Sequence, residues 1–201
     1  SILATARTVF ARRGYHGAST AEIAAAAGCS EPTIYKHFPS KQALFAAVIQ
    51  DISAEMKAKV SARLEASDDL YGTYRAFTGE IVCSPRFAEI MRVRSLAVAL
   101  VDEPEIREAI LASVAGQHAM LVRVLADGIA SGAVRPDIDP DAIAWTVVGA
   151  LLTGGLRQAT EGDAVLADMP RIHQNLFRLI EVPREGAPGT APETPDRGSR
   201  E

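Results

Sequence analysis

Residues 19–45 read STAEIAAAAGCSEPTIYKHFPSKQALF, and three helix starts fall within that one stretch. Ser19 and Glu22 have the S-x-x-E spacing of a capping box, in which the serine oxygen takes a backbone N–H and the glutamate reaches back. Gly28, the residue best able to take a positive φ, ends that helix. Ser30 caps a second helix with Pro32 in its first turn. Thr33 to His37 complete it, and Pro39 closes it. Ser40 caps a third, which carries Leu44, Phe45, Val48, Ile49, Ile52 and Met56 towards Leu64. The first two helices make a helix-turn-helix. The small residues Ala24–Ala27 are expected to let them cross closely, with Ile23 and Ile34 buried between them. The second helix is too short to be stable alone, so its neighbours must hold it. Its exposed face is expected to show Glu31, Pro32, Thr33, Lys36 and His37.

A helix held in this way suits a DNA groove, because recognition helices present side chains to base edges from their N-terminal half. Helix starts carry unsatisfied N–H groups and a partial positive charge, which suits phosphate. Ser19 with Thr20, and Ser40 with Lys41, set two such starts on either side of the short helix. The expected DNA contacts are Ser19, Thr20, Ser30, Pro32, Thr33, Tyr35, Lys36, His37 and Lys41. Pro32, Thr33 and Lys36 do more of the base reading, while Tyr35 and His37 donate to phosphates. Solvated surface lysines are the plain alternative for Lys36 and Lys41, but their place beside capped helix starts favours DNA. Glu31 has two open readings: it favours its own helix dipole, or it accepts from a cytosine amino group.

Charge supports a protein that touches phosphate with one end. Residues 1–50 hold five basic side chains and two acids, whereas residues 51–201 hold sixteen basic and twenty-three acidic ones, for a net charge of −4. An acidic whole argues against a non-specific nucleic-acid coat. Cys29 and Cys83 have no Cys or His neighbours at ligand spacing, so no disulfide, metal or cofactor is expected and a reducing cytoplasm fits. Both thiols are read as packing, Cys83 as a buried structural one. No apolar run is expected to approach the ~18 residues of a membrane span, and no signal peptide is read at Ser1. Nearly half the chain is hydrophobic, at 48%, and apolar residues recur at three- and four-residue spacing. The fold class is all-α: an N-terminal three-helix helix-turn-helix domain and a C-terminal helical domain, with about nine helices in all. Beyond the opening stretch and a first helix over Ser1–Arg13, helices are expected near 69–82, 85–100, 103–131, 139–158 and 167–181. The domains are read as 1–48, 49–182 and a Pro/Gly-rich irregular tail over 183–201.

The segments VFARRGYHGAST (9–20), EIAAAAGCS (22–30) and TIYKHFPSKQALFAAV (33–48) together resemble the tetracycline-repressor-like (TetR) transcriptional regulators. Cys29 stands where valine is common, and Pro32 where glycine is frequent. Position 32 faces DNA, so the operator sequence is not carried over from relatives. Beyond residue 50 the resemblance is architectural, in helix lengths and in the link GAVRPDIDPDAIA (132–144).

The resemblance implies a cytoplasmic homodimer bound to a double-stranded, pseudo-palindromic DNA operator. Its last two helices pair with their mates through Val148, Leu152, Gly155, Leu176, Phe177 and Ile180. It also implies a small-molecule effector in a cavity inside helices 4–8, which tilts helix 4 and releases the DNA. The expected pocket residues are Tyr74, Phe77, Met91, Arg94, Val114, Gln117, His118, Leu121, Val147 and Leu151. Gln117 and His118 sit among Ile110, Val114, Leu121 and Leu125, as a pair that orients a ligand or as a core histidine on a carbonyl. Arg94 and Arg92 either bind an anionic ligand group or pair with surface acids such as Glu89. Tyr71, Tyr74 and Phe77 read chiefly as core aromatics. Trp145 belongs either to the dimer seam or to a pocket cap. The function expected is a ligand-responsive repressor without catalytic activity. The rivals are a DNA-binding dimer without an effector, and an enzyme using the helical cavity.

Overall fold

The first helix, α1 (Ile2–Gly17), starts at Ser1, whose hydroxyl oxygen accepts the Ala4 N–H at 3.3 Å. It does not stop at Gly14. That residue takes φ +73° and kinks the helix, and one further turn follows. The structure, a computed structural model, describes residues 1–183. Past residue 183, the expected tail lies outside the described residues. The remaining helices are α2 (Thr20–Ala27), α3 (Glu31–His37), α4 (Lys41–Glu65), α5 (Leu70–Val82), α6 (Pro85–Val98), α7 (Pro104–Ala130), α8 (Pro140–Glu161) and α9 (Met169–Ile180). A 3₁₀ segment, Asp163–Asp168, joins α8 to α9 and takes the place of the expected start at Ala167. Among the described residues the fold is all-α. One antiparallel bridge, Val134 with Glu181, ties the α7–α8 link to the end of α9.

Local chemistry sets most of these boundaries. Gly28 adopts φ +70°, ψ +32°, where an L side chain would be strained, and its N–H and that of Cys29 cap the carbonyls at the end of α2. Asp69 accepts from Gly72 N–H at 2.7 Å and Asp139 from Asp141 N–H at 2.9 Å, which starts α5 and α8. The α8 helix outlasts its expected end at Gln158. Buried Gln158 donates to the Ala88 carbonyl and to Asp163 Oδ1, so packing carries the helix one turn further.

The core forms three clusters. The largest joins the DNA-binding end to the body: Phe10, Ile23, Ile34, Phe45 and Val48 share it with Val93, Ala97, Ile106 and Ile110 of α6 and α7. A second gathers Tyr71, Tyr74, Phe77, Leu121, Leu125, Val148, Phe177 and Ile180. A third, smaller one holds Val82, Phe87, Met91 and Met169. At the α6–α8 crossing, a Cβ on Gly155 would stand 2.5 Å from Ser95 Oγ, so only glycine allows that approach. By length and composition α7 is apolar enough to cross a membrane, contrary to expectation. It packs on α4, α5, α6 and α8 instead, as a core helix of the body.

Candidate nucleic-acid interface and helical body

α3 is seated from below by apolar packing and from the side by one polar cluster. Ile23 of α2 and Ile34 of α3 are both fully buried, as expected. Of the four alanines expected at the crossing only Ala24 is buried; Ala25 and Ala26 face solvent. Thr20, though named among the DNA contacts, is buried. Its hydroxyl donates to Glu31 Oε1 and lies 3.1 Å from the Tyr35 hydroxyl. That contact gives Glu31 a role outside its two readings: one carboxylate oxygen is used by Thr20, tying the start of α3 to α2.

The capping of the three starts differs in detail. Ser19 accepts from Glu22 N–H at 3.0 Å and Ser40 from Ala43 N–H at 2.9 Å. The Glu22 carboxylate does not complete the expected box. It lies 3.2 Å from Arg13 and 3.6 Å from Arg12, because two guanidinium charges outcompete a neutral N–H. Ser30 occupies the cap position of α3 without a side-chain bond to the backbone, and its hydroxyl pairs with Thr33 Oγ1 at 2.8 Å. Pro32, Lys36 and His37 are exposed, and Tyr35 is 46% exposed. Lys41 Nζ rests 4.6 Å above the Tyr15 ring, and burial there lowers its pKa. Tyr15 in turn packs against Phe10 and Phe45. Solvent-facing side chains of α3 therefore stand between two capped helix starts on a rigid aromatic base.

Sequence reasoning missed the polar joint between this end and the body. Arg7 of α1 is buried, with Nε 3.1 Å from Glu89 of α6 and Nη1 3.5 Å from Glu55 of α4. Glu55 also binds Lys59 at 2.7 Å and Arg86. Burial pushes the Glu55 carboxyl up, but the Lys59 hydrogen bond and the charges of Arg86, Lys59 and Arg7 hold it below its usual value. The signal was present: Arg7 interrupts the apolar face made by Ala6, Val9 and Phe10.

The expected pocket residues are distributed over packed clusters of the body. Tyr74, Phe77 and Leu121 belong to the second core cluster, and Val147 packs against it. Burial raises the Tyr74 pKa to about 12. Met91 belongs to the third cluster, with Leu151 against it, and Val114 packs between the first two. The His118 side chain is largely covered, packed towards α8. Its ring lies 4.5 Å from that of Trp145, and its Nε2 is 3.2 Å from Asp141 Oδ1, out of line for a hydrogen bond. Gln117 and His118 stand one helical step, about 100°, apart around the axis of α7. Gln117 accepts from Arg94 Nη1 at 3.1 Å. Arg92 pairs with Asp163 at 2.6 Å rather than with Glu89. A small apolar hollow of about 90 Å³ opens between α7, α8 and α9, lined by Leu121, Val147, Leu176 and Phe177 among others. Cys83 is exposed at the end of α5, not buried, because the helix stops there; Cys29 packs against the first cluster.

The dimer residues also need correction. Val148, Gly155, Phe177 and Ile180 are buried inside the protomer. Leu176 lines the small hollow, and Leu152 faces solvent. The outward apolar stripe is Trp145, Leu152 and Leu156 on α8 with Leu179 on α9. Helices apolar on two faces offer two stripes at the same spacing, and spacing alone does not say which one the protomer buries.

Fold and site together define a helix-turn-helix DNA-binding protein with an all-helical body. The family description "Bacterial regulatory proteins, tetR family" matches residues 2–48, and "Tetracyclin repressor-like, C-terminal domain" matches residues 99–172. The chain belongs to the TetR family of DNA-binding transcriptional regulators. It is 28% identical over 146 residues to the transcriptional repressor KstR2 of Mycolicibacterium smegmatis, covering 71% of this chain and 70% of that one. It is 51% identical to the activator FasR of the same organism over 49 residues, 24% of this chain and 22% of that one. A regulator from Saccharomonospora viridis, solved in complex with choline, superposes with a TM-score of 0.78 at 22% identity, covering 91% and 96% of the two chains.

Proposed function

We propose that the protein is a cytoplasmic homodimeric repressor. It binds a pseudo-palindromic operator through α3 and is released by a small molecule bound in the helical body. One observation carries the DNA reading: the solvent face of α3, with Pro32, Thr33 and Lys36, stands between the capped starts of α2 and α4. Ser19, Ser30, Tyr35, His37 and Lys41 then position the protein on phosphates, while Pro32, Thr33 and Lys36 read bases. Thr20 acts from behind, by holding Glu31 and Tyr35. The exposed stripe of Trp145, Leu152, Leu156 and Leu179 supports a dimer through α8 and α9. Repression rather than activation follows KstR2, whose match of 146 residues extends beyond the helix-turn-helix into the body. An effector would act along α4, which starts at the DNA face and packs on α7 inside the body. It must bind the released state better than the bound one.

A DNA-binding dimer without an effector is the second reading. It is favoured by the spread of the expected pocket residues over three packed clusters. No catalytic role, metal or cofactor is proposed.

The DNA reading is tested by salt-dependent binding. Lys41→Ala should weaken binding on all duplexes and flatten the salt dependence by about one counterion. Thr33→Ala should change sequence preference instead. Unaltered binding by both variants would mean that α3 does not enter the groove.

A further inference from the structure

Among the described residues, Arg94 is the arginine of the body whose buried head group no acid answers. Its Nε and Nη2 are shielded from solvent and have no hydrogen-bond partner; Nη1 alone is used, by Gln117 Oε1. Among the described residues no carboxylate lies within ion-pair distance of it, whereas Arg7 and Arg86 each meet Glu55. An unpaired buried charge costs several kcal/mol by order of magnitude, and a fold normally supplies a counterion or replaces the residue. Arginine stays protonated even here, since burial lowers its pKa from a very high starting point.

We propose that Arg94 is the anchor for an oxyanion, a carboxylate or a phosphate, at the head of an otherwise apolar effector held between α6 and α7. Nε and Nη2 are the two N–H positions that grip a planar oxyanion side by side. Gln117 orients the fork by accepting from the third, and its own amide N–H₂ is a further donor. One turn away on the same helix faces stand apolar Ile90 and Met91 on α6 and Val114 and Leu121 on α7, with one polar neighbour, Ser113, whose hydroxyl is taken by Ser53 at 2.7 Å. The apolar groups suit an alkyl or ring body rather than a second charge. The small hollow between α7, α8 and α9 does not reach Arg94, and the ligand would enter by parting α6 from α7. Because α7 also packs on α4, that movement is passed to the helix beneath the DNA face. The proposal rests on the effector-released reading and names its ligand class.

The test uses the full chain and three twelve-carbon probes: dodecanoate, dodecyl phosphate and neutral dodecanol. Wild-type protein should be stabilised against heat by at least one of the two anions and not by the alcohol. Whichever anion acts identifies the oxyanion. Arg94→Met should lower that anion's affinity by about ten- to a hundredfold, the loss of a charged hydrogen-bonded pair. It should also raise the melting temperature of the unliganded protein, since an unanswered charge is removed. A fall in that melting temperature would show Arg94 to be satisfied within the fold and would overturn the proposal. So would equal binding of dodecanol and the anions, or no response to either anion. Operator binding separates these failures. If dodecanol alone releases the DNA, the effector reading stands and the anchor falls. If the protein binds DNA and no probe affects it, the anchor falls and the effector-free reading gains.

Discussion

Thr20 shows how one hydroxyl decides the use of a recognition helix. It sits at the first turn of α2, yet it is spent on Glu31 and Tyr35 of α3 rather than left facing outward. Its partners are a carboxylate and a phenol in a part-buried setting, and a bond to a charged group contributes about 1.5–3 kcal/mol. Thr20→Val keeps the shape and removes the donor. Thermal unfolding should then drop by about 3–12 °C for a protein of this size, and DNA affinity should weaken on every sequence because α3 is held less firmly. An unchanged melting temperature with weaker DNA binding would instead make Thr20 a direct phosphate contact. The position, a helix start beside the interface, was legible in the sequence. The partner was not, because spacing along a chain does not reveal which of two nearby acceptors a hydroxyl will reach.

At the scale of elements, helix starts were read well and helix faces less well. Ser19, Ser40, Asp69 and Asp139 mark starts because a short polar side chain closes on an N–H two or three residues ahead, a local event written in adjacent letters. Ends and faces depend on distant contacts: Gln158 extends α8 by bonding to Ala88 and Asp163, far from it or beyond it in sequence. The face of α8 is the clearest case. Val148 and Leu152 are four residues apart and both apolar, but one is buried and the other exposed. Leu156→Glu, on the exposed stripe, should convert dimer to monomer in sedimentation while changing protomer stability by less than about 0.5 kcal/mol. Val148→Ala should do the reverse, costing about 1–3 kcal/mol with the dimer intact at low temperature. A Leu156→Glu protein that still sediments as a dimer would move the interface off this stripe.

For the molecule as a whole, the question is how the helical body would govern the proposed DNA-binding end. Two connections are in place. Aromatic and aliphatic packing merges α1–α4 with α6 and α7 into one cluster, and the Arg7–Glu55–Glu89–Arg86 knot ties α1, α4 and α6 together by charge. Packed interfaces of this kind switch between arrangements rather than bend gradually. A shift of α6 against α7 would therefore reach α1 and α4 together. All of it depends on the protein reading DNA as a symmetric pair of α3 helices, and footprinting on the DNA flanking its own gene addresses that directly. The account predicts two protected half-sites related by two-fold symmetry, with centres about one helical turn apart, lost together in Leu156→Glu. A single unpaired half-site, or no protection at low salt, would contradict it.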